Sequence, residues 1–183
     1  MAYIGIARPV IAVYSEENGK AAYSGGIRFG KAIKVEIDPQ YEDVSDYNDI
    51  NDTDDEEEFS YADVTLDTDE IPEEAELMMF GRETDGISKE SDRAGYVGVG
   101  MRTRCVKNGR VRYLAVWIHK AKFKEGSWSH ETKGDSISYQ TPSTPGKAVP
   151  DAKGNGEQKN FLGTAQEADS WIEFNRRDKK ERY

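Results

Sequence analysis

The chain has 183 residues, 36% hydrophobic and 33% charged, which suits one sizeable core with a very wet exterior and leaves no material for several domains. Its net charge of −10 argues against a protein that grips nucleic acid, since phosphate binding needs clustered Lys and Arg. No apolar run approaches the roughly 18–20 residues that span a bilayer. Residues 1–5 lack a signal-peptide pattern, and the single Cys105 cannot form an internal disulfide, so folding in a reducing cytosol is expected, with no membrane insertion.

The charge is unevenly spread. Nineteen of the 35 acids lie between Val35 and Gly81, where there is no Lys or Arg; the other 16 acids face all 25 bases elsewhere. One segment is an anionic arm, and the remainder is mildly cationic.

In chain order, residues 9–14 open as an apolar piece and 16–20 as a polar turn. Residues 27–37 read as one amphipathic strand: Ile27, Phe29, Ile33, Val35 and Ile37 alternate with Arg28, Lys34 and Glu36, with a breach at Lys31. Asp38–Pro39 is expected to end it. Residues 41–58 form an acidic segment without periodicity, expected to protrude as a loop, since structureless stretches of this length usually serve a function. Strand character returns over 59–66, where the apolar phase slips between Tyr61 and Val64, the mark of a bulge or of burial on both faces.

One helix is expected. Pro72 suits its start, Glu73, Glu74 and Glu76 complement the positive end of the dipole, and Gly81 suits a left-handed stop. Ile71, Ala75, Met78 and Met79 share a stripe.

A hairpin follows. Val97, Val99, Met101 and Cys105 alternate with Gly98, Gly100, Arg102 and Arg104, and Asn108–Gly109 fits a two-residue type I′ turn because both residues accept positive φ. Residues 111–118 are apolar on both faces, as in a central strand. Beyond them Lys120, Lys122 and Lys124 share one side, with Ala121 and Phe123 on the other. His119 is placed on the face of Trp117 and Ala121. Residues 135–141 read as a further strand, 142–145 as a break between Pro142 and Pro145, 151–159 as a polar loop, and 171–174 as a last short strand before a basic tail at 176–183. The expectation is a single β domain over 1–175, a sandwich or partly open barrel with one short flanking helix and extended termini.

The chemistry-bearing residues point away from catalysis. His119 and His130 have no orienting third group, Cys105 alternates with core positions, and no Ser or Thr sits in a nucleophile turn. Glycines 95, 98 and 100 precede no Gly-Lys-Ser/Thr, so close strand contacts explain them better than a phosphate loop. The run 46–56 (DYNDINDTDDE) offers Asp46, Asp49, Asp52 and Asp54 as weak calcium ligands, but no register places Gly at the sixth position of a twelve-residue loop. No cofactor is implied.

Taken together, 71–81 (IPEEAELMMFG), 95–100 (GYVGVG), 113–123 (YLAVWIHKAKF) and 132–143 (TKGDSISYQTPS) resemble, in order and spacing, the major tail proteins of long, non-contractile-tailed bacteriophages. The resemblance implies a β-sandwich or partly open barrel with a flanking helix. It implies assembly into hexameric rings that stack on a tape-measure protein, with other tail components, into a tube through which DNA passes as non-specific cargo. It also implies residence in the virion tail after assembly in the bacterial host cytoplasm.

In this reading the acidic loop reaches another copy. Asp52, Asp54, Asp55, Glu56, Glu57 and Glu58 then pair with Arg176, Arg177, Lys179, Lys180 and Arg182 of the tail. The alternatives are a calcium-dependent binding sandwich using the acidic loop with Trp128 or Trp171, and a small hydrolase, for which no acid–base–nucleophile set assembles.

Overall fold

A computed structural model describes residues 2–28, 31–43, 57–82, 93–126 and 143–176. The chain is mainly β, and the described residues form eight strands in one antiparallel sheet and two helices. The strands are β1 (Ala2–Glu17), β2 (Lys20–Arg28), β3 (Ala32–Asp43), β4 (Glu57–Thr68), β5 (Val97–Lys107), β6 (Arg110–Phe123), β7 (Ser143–Ala148) and β8 (Glu157–Leu162). Their order is β2-β1-β5-β6-β7-β4-β3, with β8 also on β6. The sheet curls so that β3, at one margin, returns to pack on β1 near the other.

Two Asn-Gly pairs set the hairpins. Asn18 and Gly19 (φ 52° and 68°) join β1 to β2, and Asn108 and Gly109 (φ 52° and 72°) join β5 to β6. Paired positive φ values match the right-handed twist of the strands that leave the turn. The expected hairpin is therefore present, with Lys107 opposite Arg110.

The inner face of the curl holds the larger core, built from Ile11, Val64, Leu66, Val97, Val99, Met101, Leu114, Val116, Ile118 and Phe123. Helix α1 (Glu73–Phe80) closes it with Ala75 and Met79 and stops at Gly81 in the left-handed conformation (φ 70°), as its sequence signals predict. The outer face carries a second cluster of Val10, Ala12, Tyr23, Ala115 and Trp117 under helix α2 (Ala165–Arg176).

This second helix replaces the strand expected at 171–174. Trp171, Ile172 and Phe174 favour strands locally, but Ala168, Trp171, Ile172 and Asn175 fall on one helical stripe. A capping box starts the helix: the Glu167 amide donates to Thr164 Oγ1 (3.2 Å), and Glu167 Oε2 accepts from the amides of Gly163 (3.0 Å) and Thr164 (3.1 Å). Side chains then fasten it. Arg102 Nε donates to Asp169 Oδ1 at 2.6 Å, and Glu173 takes Arg28 at 3.2 Å and Arg176 at 2.5 Å.

Other expectations shift in detail. Residues 27–37 belong to two strands at opposite margins of the sheet, not to one. The breach at Lys31 marks the crossing, pinned by Asp69, whose carboxylate accepts from the Lys31 amide (2.5 Å) and whose amide donates to the Lys31 carbonyl (3.1 Å). Asp38–Pro39 does not end the strand, because β3 lies at an edge where a missing N–H is tolerated; Pro39 pairs with Ala62. The loop expected over 41–58 is narrower, since Tyr41 pairs with Phe59, Glu42 with Glu58 and Asp43 with Glu57, and the Tyr41 and Phe59 rings meet edge to face at 6.1 Å.

The slip expected between Tyr61 and Val64 is not a bulge there, because the pairing runs unbroken from Gln40–Tyr61 to Ile37–Val64, with Ala62 and Val64 buried and Asp63 exposed. The extra residue is Ser60, just before, between the Gln40–Tyr61 and Tyr41–Phe59 pairs. The break at 142–145 gives way to β7, whose Pro145 sits just past the three residues that pair with β6. The polar loop at 151–159 ends early, at Glu157, where β8 begins. The strand expected at 135–141 lies outside the described residues.

Candidate functional site

The functional surface is organised by one extra residue in β6. Val97 pairs with Ala121 but Val99 pairs with Ile118, so β6 spends three residues where β5 spends two. The bulge at His119–Lys120 keeps Ala121 and Phe123 on the inner core face with Leu114, Val116 and Ile118. His119 therefore does not share a face with Ala121, as simple alternation predicts. At the same point the free edge of β6 passes from β8 (residues 113–118) to β7 (121–123), and the sheet forks.

The connection from β7 to β8 crosses this fork. The Val149 amide donates to the Lys120 carbonyl (2.9 Å) and the His119 amide to the Gly156 carbonyl (3.1 Å). Asp151, 8% exposed, organises the crossing: its Oδ1 accepts from the amides of Lys153 and Asn155 (both 2.8 Å) and its Oδ2 from Asn155 Nδ2 (3.1 Å). His119 Nδ1 lies 3.9 Å from Asp151 Oδ2 and 3.2 Å from the Tyr23 hydroxyl, which donates to the His119 carbonyl at 2.9 Å. Tyr, His and Asp thus meet, but the Tyr and Asp are occupied with holding backbone and the imidazole is packed between them. Asp151 is spent on the turn and Tyr23 on the strand, so the cluster is a fastening of the fork.

Burial lowers the pKa of His119 below the usual imidazole range, although Asp151 pulls it upward. Burial pushes Asp151 up, but hydrogen bonds from Asn155 and Lys153, with His119 beyond them, outweigh it and leave the carboxyl below its ordinary range. A depressed pKa means that the unfolded chain binds more protons, so stability is full above the unfolded value and falls as pH drops through the folded one. For His119 that fall begins below 6.5 and for Asp151 below 3.8. Urea melts of His119→Gln between pH 4.5 and 8 are expected to lose the upper limb seen in the parent. An unchanged slope would refute this assignment.

Cys105, fully buried, lies opposite Arg112. Arg112 is seven residues of strand before His119, roughly 23 Å, so the thiol and the imidazole cannot act together. Gly98 and Gly100 are close-contact glycines: a Cβ would meet the Tyr23 ring at 2.5 Å in one case and Trp117 at 2.6 Å in the other.

Beyond Trp117 the outer face leaves the cover of α2 and changes character. Lys120 Nζ stands over the rings of Tyr14 (5.2 Å) and Tyr96 (4.7 Å), Lys122 over Tyr96 (5.6 Å) and Lys147 over Tyr61 (3.6 Å). Lys122 and Lys147 are direct cross-strand partners. The next strand pairs Lys147 with Asp63 and Asp63 with Asp38, so this face runs from basic on β6 and β7 to acidic on β4 and β3.

Of the residues singled out from sequence, Asp46, Asp49, Asp52, Asp54, Asp55, Glu56, Arg177, Lys179, Lys180 and Arg182 lie outside the described residues. Glu57 opens β4, and Glu58 is exposed opposite Glu42. Arg176 belongs to α2, not to a separate tail. Its guanidinium is held within the fold by Glu173 and by the Gly26 carbonyl (2.6 Å). Burial pushes Glu173 up, but the hydrogen bonds and charges of Arg176 and Arg28 outweigh it and hold the carboxyl below its ordinary range. Among the described residues no three His, Cys, Asp or Glu side chains gather closely enough to hold a metal ion. No helix among them is long and apolar enough to cross a membrane. The lysine–tyrosine row went unassigned from sequence, although Lys120, Lys122 and Lys124 already shared a side there; Lys147 joins it only through non-local pairing. No protein-family model matches the chain, and no curated protein matches it.

Proposed function

We propose that this chain is a self-assembling structural subunit of the tail-tube type. Copies join head to tail into hexameric rings that stack on a tape-measure protein and guide DNA as non-specific cargo. The observation that carries the reading is the outer edge of β3. Twelve residues, Ala32–Asp43, pair on one side with β4, and among the described residues nothing pairs the other side. Ile33 and Tyr41 on this strand are both 55% exposed.

A long edge with exposed apolar side chains is a template for another chain; Lys34 and Pro39 blunt the middle of this one, and Ile33 and Tyr41 flank them at its two ends. The opposite margin, β2, is shielded in part, because Arg176 of α2 donates to its Gly26 carbonyl. The start of β1 exposes Tyr3 (57%) and Ile4 (52%), a second apolar surface remote from the enclosed core. A different surface on each side suits a heterologous contact, which closes rings when the rotation permits and extends by stacking. The order and spacing of the motifs at 71–81, 95–100, 113–123 and 132–143 support the same reading, as does a net charge of −10, which keeps passing DNA from sticking.

Negative-stain microscopy of the purified full chain at rising concentration tests it. Rings or tubes are expected, located in the virion tail after assembly in the bacterial cytoplasm. A monodisperse monomer at the highest soluble concentration would overturn the proposal.

A further inference from the structure

We infer that the open Lys120–Lys122–Lys147 face is the receptor for the acidic run 46–58 of a second copy of this chain. This inference rests on the self-assembly reading and names the surface it uses. Its starting point is an electrostatic imbalance. Like charges placed directly opposite in a sheet are destabilising, yet Lys122 faces Lys147, with Lys120 two residues away on the same side and Lys124 exposed just beyond. Among the described residues none of these four lysines forms an ion pair. The tyrosine rings of positions 14, 61 and 96 steady three of the ammonium groups through their faces, but a neutral ring leaves the positive charge in place. The strand geometry therefore presents a row of positioned cations without an ion pair among the described residues, with Asp63 opposite Lys147 at its acidic margin.

The occupant is an extended polyanion, and the details favour a carboxylate-rich peptide over a nucleic acid. Single-strand binders offer aromatic faces on which bases stack. Here Lys120, Lys122 and Lys147 lie over the Tyr14, Tyr61 and Tyr96 rings, so the rings serve the lysines and offer no such platform. A strand places alternate ammonium groups about 7 Å apart, the spacing of alternate side chains in an extended peptide.

The chain carries the complement itself: Asp46, Asp49, Asp52, Asp54, Asp55, Glu56, Glu57 and Glu58 with no base among them. In the same copy the run joins β4 at Glu57, six residues along the strand from Asp63, the partner of Lys147, or about 20 Å. A neighbouring copy brings it to the face without doubling back.

The experiment uses the full chain with a fluorescent synthetic peptide of residues 44–58, and then two charge-reversed chains. One carries Lys120→Glu, Lys122→Glu and Lys147→Glu; the other carries Asp52→Lys, Asp54→Lys, Asp55→Lys and Glu56→Lys. The peptide is expected to bind the parent at 50 mM salt. Binding should be at least tenfold weaker to the first variant, and also to Lys122→Gln/Lys147→Gln, a milder change at exposed positions that spares the fold. Each charge-reversed chain alone should assemble at least tenfold less readily than the parent, and an equimolar mixture should recover.

Peptide binding that ignores the lysines overturns the inference, as does a mixture that does not recover. So does carbodiimide coupling of the run to these lysines only within monomers. A single-stranded oligonucleotide that binds through the same lysines while the peptide does not would replace it with a nucleic-acid site. If the parent chain forms no rings at all, the self-assembly reading fails instead; if rings form and these variants leave them untouched, only the receptor assignment fails.

Discussion

Trp117→Ala is expected to cost about 3–5 kcal/mol, the largest single loss available in this fold. Trp117 is fully buried and meets the Tyr23 ring edge to face at 5.1 Å. It fills a slot that the sequence cuts for it, since Gly98 and Gly100 of β5 have no Cβ atoms to occupy the same space. Ile172 and Ala168 of α2 close the cluster from above, so no neighbouring element is free to collapse into the vacancy. Against the roughly 5–15 kcal/mol that stabilises a typical domain, such a loss is a large fraction. Urea unfolding with a shared m-value measures it. A loss below about 1 kcal/mol would mean that the second core contributes little and that α2 is held by its ion pairs alone. Gly100→Val approaches the same slot from the other side and should destabilise by overpacking, about 1–3 kcal/mol.

The second expected result concerns assembly and leaves folding alone. Ile33→Lys combined with Tyr41→Lys should abolish rings and tubes at concentrations where the parent forms them, while the thermal midpoint moves by no more than a few degrees. Both side chains are more than half exposed in the isolated subunit, so their replacement removes little buried area. Charged side chains, Lys above all, are how natural proteins stop an edge strand from recruiting another. Sedimentation velocity on parent and double variant reads the difference directly. Unchanged assembly would remove β3 as the joining edge and leave the apolar start of β1 as the remaining candidate. A paired substitution of Tyr3 and Ile4 would then decide.

Much of the architecture was legible because local signals and the final fold agree. The Asn108–Gly109 turn, the α1 stripe ending at Gly81 and the doubly apolar run of β6 each state their own conformation. What was misread had two competing local messages. Trp171, Ile172 and Phe174 are good strand residues, and only the Thr164–Glu167 box, three residues apart, announces a helix. Pro145 reads as a stop, yet it lies in β7 just past the residues that pair with β6, where its carbonyl accepts from the Lys124 amide and only an N–H is lacking. Residues 27–37 alternate well enough to pass for one strand, and the fault at Lys31 makes sense only once Asp69, distant in sequence, is seen holding it.

The site was harder still. Lys120, Lys122 and Lys124 were visible as one side of a strand, but their meaning depends on Lys147 and three tyrosines from four other segments. Asp151 gave no sign at all, since a lone aspartate in a polar stretch looks the same whether it is solvated or is tying down a turn.

The bulge in β6 makes positions 119 and 120 the place where this strand can lose a residue without changing its faces. Deleting one residue at position 119 or 120 would leave two residues of β6 against two of β5 and restore plain alternation, with Ala121 and Phe123 still facing Leu66 and Met79. That shortening would keep the inside and the outside of the molecule and lose only the kink at the fork.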